Sequence, residues 1–172
     1  MKILPLDTKD VVPAMELVLR VFSEFETPEY REEGIAEFKA FIEPDFIIDK
    51  MKKGELHLWG ACENALIIGV IAVRPPLHIS LLFVDKQYHR RGIARKLFDT
   101  IMNDKTVVSG HECVTVYSSP YAVEFYRRLG FVQTDTEQVV NGLRFTPMEC
   151  VRKAIRKTNN VLKKETENCV NT

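Results

Sequence analysis

A short basic loop, His89-Arg90-Arg91-Gly92-Ile93-Ala94, has the residue types that can bind a diphosphate. It follows the apolar run 81–84. Gly92 has no Cβ, so the backbone there can approach a ligand closely, and Ala94 is the next smallest residue. Three arginines add positive charge in and beside the loop, namely Arg90, Arg91 and Arg95. The loop is therefore a candidate anion-binding site.

The residues after this loop predict an amphipathic helix. Apolar side chains recur at helical spacing, at Ile93, Ala94, Leu97, Phe98, Ile101 and Met102. The first backbone N–H groups of a helix have no partner within the helix, and the helix dipole is positive at that end, so an anion can bind there. Neither the G-x-x-x-x-G-K-[ST] loop nor the G-x-G-x-x-G loop is present.

Two segments of the chain resemble the motifs of one superfamily. Residues 89–94 resemble [QR]-x-x-G-x-[GA], the acetyl-coenzyme A signature of the GNAT N-acetyltransferases, with His89 where the family usually has Gln or Arg. Residues 119–131 resemble N-x-x-A-x-x-F-Y-x-x-x-G-F of the same family, with Ser119 in place of Asn. The motifs stand in the family's order, and a predicted strand, 112–117, separates them.

The resemblance implies an α/β fold of the GNAT type. This fold is a three-layer sandwich around a mixed, mostly antiparallel and twisted sheet, in which the central parallel pair splays apart where coenzyme A enters. In this chain the splayed strands would be 78–84 and 112–117. The order of predicted strands and helices also favours a mixed sheet in an α/β sandwich.

The resemblance also implies acetyl-coenzyme A as cosubstrate. It places the pantetheine arm along the backbone of residues 82–84 and makes Tyr126 the general acid that protonates the leaving sulfur. The predicted cofactor-binding residues are Leu82, Phe83, Val84, His89, Arg90, Arg91, Gly92, Ile93, Ala94, Arg95, Ser119 and Tyr126. Core packing is an alternative role for Tyr126, and capping of the following helix is an alternative role for Ser119.

The predicted reaction is direct transfer of acetyl from acetyl-coenzyme A to a primary amine in a ternary complex. The general base stays open among five residues, Glu24, Glu26, Glu55, His57 and His78, and a weakly basic arylamine would need no strong base. The acceptor is a small-molecule or peptide amine. The rival hypothesis is a non-catalytic acyl-coenzyme A sensor or interaction module on the same fold.

Composition excludes several other classes of protein. A net charge of zero over 172 residues disfavours nucleic-acid binding. Four dispersed cysteines without a C-x-x-C pair argue against a metal site. The chain has no apolar run that could span a membrane and no recognisable signal peptide, which favours a cytoplasmic protein without membrane contact. Monomer and homodimer both stay open.

The length of the chain predicts one domain. Because the family resemblance fades in the last twenty or so residues, we expect this domain to span 1–150 and to be followed by a basic C-terminal tail, 151–172, that could be helical. Before the glycine loop the periodicity along the chain predicts a strand at 1–6, a helix from Val11, a second helix at 31–42, a short apolar stretch to Met51, and strands at 56–62, 66–73 and 78–84. After residue 130 it predicts a hairpin of strands 131–140 and 143–150 joined by Asn141-Gly142.

Overall fold

A mixed sheet of eight strands lies between two layers of helices in the computed structural model, which describes residues 1–108 and 110–151. The strands are β1 (Lys2–Pro5), β2 (His57–Glu63), β3 (Leu66–Arg74), β4 (His78–Val84), β5 (Cys113–Ser118), β6 (Val132–Gln133), β7 (Gln138–Val140) and β8 (Leu143–Val151). Their order is β1-β2-β3-β4-β5-β8-β6, with β7 paired to β8. Among the strands that the structure describes, only the β4–β5 pair is parallel, which confirms the predicted mixed, mostly antiparallel sheet.

Helices cover both faces of this sheet. They are α1 (Val11–Phe25), α2 (Glu32–Phe41), α3 (Pro44–Lys52), α4 (Ile93–Asn103), α5 (Lys105–Val108) and α6 (Val123–Arg128). Side chains of α1 and α3 pack with Val70, Ala72, Leu81 and Phe83 on one face. Side chains of α4 and α6 pack on the other face around Ile71 and Val73. The alternation of side chains along β3 separates the two cores, and the predicted three-layer sandwich is confirmed.

The two parallel strands at the centre pair over only two positions. His78 lies opposite Thr115 and Ile79 opposite Val116, after which β4 and β5 are no longer partners. A bulge sits where they part, because Ala72 pairs with Leu81 and Val73 with Ile79, leaving Ser80 without a counterpart on β3. Bulges bend a strand and redirect its side chains. The structure thus confirms the predicted splay between these strands.

Two elements differ from the sequence prediction, one before β4 in the chain and one after β5. The stretch to Met51 is a helix, α3, in which Pro44 occupies the first turn and Ile47 is buried. A proline that ends one helix can also begin the next, which the prediction missed. The first arm of the last hairpin is broken into β6 and β7, because the Asp135 side chain accepts hydrogen bonds from the Thr136 amide and the Gln138 amide side chain.

The turn of that hairpin is as predicted. Asn141 has φ of 50° and Gly142 has φ of 77°, the left-handed conformation at both central positions that a two-residue hairpin turn requires. The turn contacts α2, because Gly34 in the first turn of that helix faces the backbone of Gly142. The Asn141 side chain also donates to Glu37, at 3.3 Å. These contacts attach the hairpin to the helical layer.

Most of the predicted C-terminal tail lies outside the described residues, of which Val151 is the last. The division at residue 150 stays a prediction. Among residues 1–108 and 110–151, no helix has both the length and the apolar character that crossing a bilayer requires.

Replacing Gly34 by alanine should destabilise the protein, although alanine normally stabilises a helix by about 1 kcal/mol relative to glycine. An added Cβ would overlap the carbonyl group of Gly142, and such overpacking costs about 1–3 kcal/mol. Urea unfolding of Gly34→Ala should therefore give a lower free energy of unfolding than the parent protein. A higher value would show that the hairpin does not press on α2.

Candidate active site

Two cavities flank the place where β4 and β5 part. The loop-side cavity, of about 700 Å³, lies between the end of β4, the basic loop and α6. The hairpin-side cavity, of about 620 Å³, lies between α2, β4 and the β7–β8 hairpin. The residues that line both cavities are Glu26, Leu82, Phe83, Ala122 and Tyr126. The two cavities therefore meet at one place, and a carboxyl group and a phenol border it.

The basic loop enters α4 through left-handed backbone conformations. Arg90 has φ of 62° and Gly92 has φ of 71°. The first helical hydrogen bond runs from the Lys96 amide to the Gly92 carbonyl, so the amides of Ile93 and Ala94 precede it. A Cβ built on Gly92 would meet no protein atom within 4 Å. Open space beside a helix N-terminus is the arrangement that suits a phosphoryl group.

Most of the predicted cofactor residues line the loop-side cavity. They are Leu82, Phe83, Val84, His89, Arg90, Gly92, Ile93, Ala94, Arg95 and Tyr126. Two predicted residues lie elsewhere. Arg91 contacts Glu63 at 3.4 Å and lies over the Tyr88 ring, and it is not among the residues that line either cavity. Ser119 lines the hairpin-side cavity instead, and its side chain forms no capping bond with the helix that follows.

His89 ties the loop to the end of β4. Its Nε2 lies 2.8 Å from the carbonyl oxygen of Val84, and because a carbonyl only accepts, Nε2 carries the proton and donates it. The imidazole ring also contacts Phe25 at a centroid distance of 5.1 Å. His89 thus fixes the position of the loop, which accounts for a histidine at this position of the motif.

Glu26 follows the last residue of α1, and its amide donates to the Phe22 carbonyl at 2.9 Å. Phe22 itself stacks on Phe38 and Tyr30, and the Tyr30 hydroxyl donates to the carbonyl of Arg144 in β8. Contacts with α2 and with β8 therefore fix the position of the segment that carries Glu26. Burial raises the pKa of the Glu26 carboxyl to about 7, with a hydrogen bond from Ser119 acting in the opposite direction.

Tyr126 lies on α6 across the junction from α1, and its side chain is buried. Its ring packs edge-on against Phe125 and Phe131, so the core-packing role is present. Its hydroxyl has no hydrogen-bond partner among the described residues, and the residue lines both cavities. Burial raises the pKa of this phenol, and the charge of Glu26 adds to the shift. The phenol stays protonated at neutral pH.

The other four candidate bases are placed differently. Glu24 is ion-paired with Lys86, and Glu55 is ion-paired with Lys50 at 2.6 Å. His57 is exposed at the start of β2 and lines neither cavity. His78 lines the hairpin-side cavity, but burial lowers its pKa to about 4. Among the five candidates, Glu26 alone borders the junction of the cavities.

Aromatic side chains form much of the hairpin-side cavity, which the sequence prediction missed. Tyr30, Phe38 and Phe41 come from the helical side, and Tyr117 and Phe145 from the sheet. The signal in the sequence was the density of aromatic residues between positions 22 and 46. In the sequence, core packing explains such a cluster equally well. Only the three-dimensional structure shows that these side chains line a cavity.

The sheet therefore opens between two parallel strands, beside a basic glycine loop. The model of the acetyltransferase (GNAT) domain family matches residues 26–152, well over half of the chain. The chain therefore belongs to the GNAT acetyltransferase family.

One curated relative and many solved structures resemble the chain. The Uncharacterized N-acetyltransferase YafP of Escherichia coli (strain K12) is 36% identical over 91 residues, and the chain matches 55% of its length; the match covers 53% of the chain itself. A GCN5-related N-acetyltransferase from Rhodopseudomonas palustris superposes with a TM-score of 0.73 at 21% identity, over 87% of this chain and 94% of that one.

A second structure, the PaiA N-acetyltransferase of Thermoplasma acidophilum in complex with coenzyme A, superposes with a TM-score of 0.69 at 20% identity. The superposition covers 88% of this chain and 99% of that chain. At these identities the two structures establish a shared fold. Within residues 1–108 and 110–151, no cluster of three or more histidine, cysteine, aspartate or glutamate side chains could hold a metal ion.

Proposed function

We propose that this protein transfers an acetyl group from acetyl-coenzyme A to a primary amine while both substrates are bound. The observation that carries the proposal is the meeting of two cavities at Glu26 and Tyr126. The loop-side cavity would hold the coenzyme, and the hairpin-side cavity would hold the amine. Two reactants held in contact need no covalent enzyme intermediate.

The loop-side cavity suits coenzyme A in shape and charge. Its phosphoryl groups would lie beside Gly92, where the open space and the amides at the start of α4 favour an anion. Arg90 and Arg95 line the same cavity and add positive charge. The pantetheine arm would follow residues 82–84, which are unpaired on the β5 side. The backbone amides of this stretch that point away from β3 would be available to the thioester.

The amine must lose a proton before it can attack. An alkylammonium has a pKa of about 10.4, and a carboxylate at Glu26 would take up that proton at the junction of the cavities. The nitrogen lone pair then forms a bond with the thioester carbonyl carbon. The tetrahedral intermediate collapses by breaking the carbon–sulfur bond, which leaves an amide and a thiolate, and the nitrogen loses its second proton to solvent.

Tyr126 would supply the proton that the departing thiolate needs. Its hydroxyl is protonated and has no partner among the described residues, so it can donate to sulfur. The resulting phenolate is unfavourable in a buried site and would recover a proton from Glu26, which took that proton from the amine. This returns both side chains to their starting states, with one proton released to solvent for each ammonium acetylated.

Gly92→Ala should raise the Kd for coenzyme A at least about tenfold, measured by calorimetry. A Cβ in the left-handed conformation costs about 1–2 kcal/mol, and here it would also occupy the space where the phosphoryl groups would lie. The loop would have to distort, and its backbone amides would no longer point toward the phosphoryl groups.

Gly54→Ala is the matched control for this substitution. Gly54 has φ of 69°, also has open space around it and lines neither cavity. It should lose a similar amount of stability while the Kd for coenzyme A stays unchanged. Equal Kd values for the two variants and the parent protein would remove the loop from coenzyme binding.

Tyr126→Phe should lower kcat by about 10²–10⁴, the usual contribution of a positioned acid, with the Kd for coenzyme A and the melting temperature nearly unchanged. The phenyl ring would keep the packing against Phe125 and Phe131, so a loss of kcat would report the hydroxyl alone. A variant with parental kcat would leave Tyr126 with packing as its role.

Glu26→Gln should lower kcat/KM for the amine by about 10²–10⁴ and change its pH dependence. In the parent protein kcat/KM should fall below a pH of about 7, because the Glu26 carboxyl is then protonated and cannot accept a proton. The amine titrates separately, near its own pKa of about 10.4. In Glu26→Gln this decrease of kcat/KM below a pH of about 7 should be absent. If the decrease were retained, Glu26 would be excluded as the base.

Stability gives an independent check on the same variant. The pKa of Glu26 is higher in the folded chain than in the unfolded chain, so the parent protein should lose stability as the pH rises from about 4.5 to 7. Glutamine resembles the protonated carboxyl, so Glu26→Gln should be more stable than the parent at pH 8 and equal at pH 4. Glu16→Gln, on the exposed side of α1, should change neither activity nor this pH dependence.

Tight binding of acetyl-coenzyme A without acetylation of any amine in a broad panel would favour the rival function, an acyl-coenzyme A sensor. Release of coenzyme A thiol that depends on added amine would support the transferase.

A further inference from the structure

The hairpin-side cavity contains one positively charged side chain that has no anionic partner among the described residues. This is Arg74, the last residue of β3, which lines the cavity and is exposed. The cavity's other arginine is fully engaged, because Arg144 contacts Glu29 at 3.2 Å and Glu137 at 3.0 Å. A guanidinium without a partner in a substrate cavity is suited to a carboxylate.

Neither of the two glutamates that line the cavity, Glu26 and Glu37, forms an ion pair with Arg74. Glu26 borders the junction with the loop-side cavity. Glu37 lies on α2 and accepts a hydrogen bond from Asn141. The strand partner of Arg74 is His78, across β3 and β4. Burial lowers the pKa of His78 to about 4, so that its imidazole is uncharged at neutral pH. The Arg74 end of the cavity is therefore positive, and the junction end is negative.

Aromatic rings form the walls between these two ends. Phe38 stacks on Phe22 at 3.9 Å and extends the wall of the helical layer. On the sheet side, Tyr117 packs on Phe145 at 4.6 Å and on His78 at 4.7 Å. Flat walls of this kind favour a flat apolar body between them, because aromatic rings stack with an offset or edge to face.

The length of β4 sets the separation between the ends. His78 lies beside Arg74, and Leu82 borders both cavities. Four residues of strand span roughly 13 Å. The Arg74 side chain can extend over part of this distance. An acceptor that touches both ends must carry its amine and its anion well apart. An α-amino acid, with both groups on one carbon, cannot do so.

We propose that the acceptor is a primary amine on an aromatic body whose opposite end carries a carboxylate held by Arg74. This inference rests on the proposed function of the junction for its orientation, with the amine at Glu26. It assigns Arg74 as a specificity-determining residue and the aromatic walls as the site of the ring.

The test compares two amines that differ only in the distal group, 4-(2-aminoethyl)benzoic acid and 2-phenylethylamine. With acetyl-coenzyme A, the acid should have about two- to fivefold higher kcat/KM, the contribution of one partly exposed charge pair. Arg74→Gln should abolish this preference, so that the ratio of kcat/KM for the acid to kcat/KM for 2-phenylethylamine falls to about one. Lys39→Gln removes the same charge from the exposed side of α2, outside both cavities, and should keep the preference.

Binding measured by calorimetry in the presence of coenzyme A separates this inference from the proposed reaction. Tighter binding of the acid than of 2-phenylethylamine, lost in Arg74→Gln, would support the inference even if neither amine were acetylated, and in that case the proposed reaction alone would fail. Equal affinity of the two amines for the parent protein, or a preference retained in Arg74→Gln, would overturn the inference whatever the turnover.

Discussion

The loss of pairing between β4 and β5 after Ile79 is the constraint on which the site depends. A continuous sheet would fill the centre of the molecule with backbone hydrogen bonds and leave no passage between its two sides. Here the strands part after two paired positions, and the bulge at Ser80 lies where they separate. The opening joins the loop-side and hairpin-side cavities, and it leaves strand amides of β4 available to a ligand.

The side chains at this opening depend on contacts far from them in sequence. Glu26 sits at the end of α1, and its segment is held because Tyr30 bonds to the backbone of β8 and because the hairpin turn presses on Gly34. Tyr126 comes from α6 on the other helical layer. The same burial that brings the two groups together raises both of their pKa values. A carboxyl group that titrates near neutrality is thereby placed opposite a phenol that does not.

The sequence predicted what local patterns determine. The fold class, the glycine loop and the Asn141-Gly142 turn follow from motifs or periodicity, and the splay follows from the family resemblance; the structure agrees with each. The choice of Glu26 could not be made in this way, since burial of a carboxyl depends on packing between elements that are distant in sequence. Arg91 shows the same limit, because its neighbours in the loop face the cavity while it contacts Glu63.

Simultaneous occupation of both cavities is the central claim, and a bisubstrate conjugate tests it most directly. In this molecule the sulfur of coenzyme A is joined through an acetyl group to the nitrogen of the best acceptor amine. If the cavities meet at Glu26 and Tyr126, the conjugate should bind at least about a hundredfold more tightly than coenzyme A, because its two halves bind as one molecule. A Kd equal to that of coenzyme A would contradict the account.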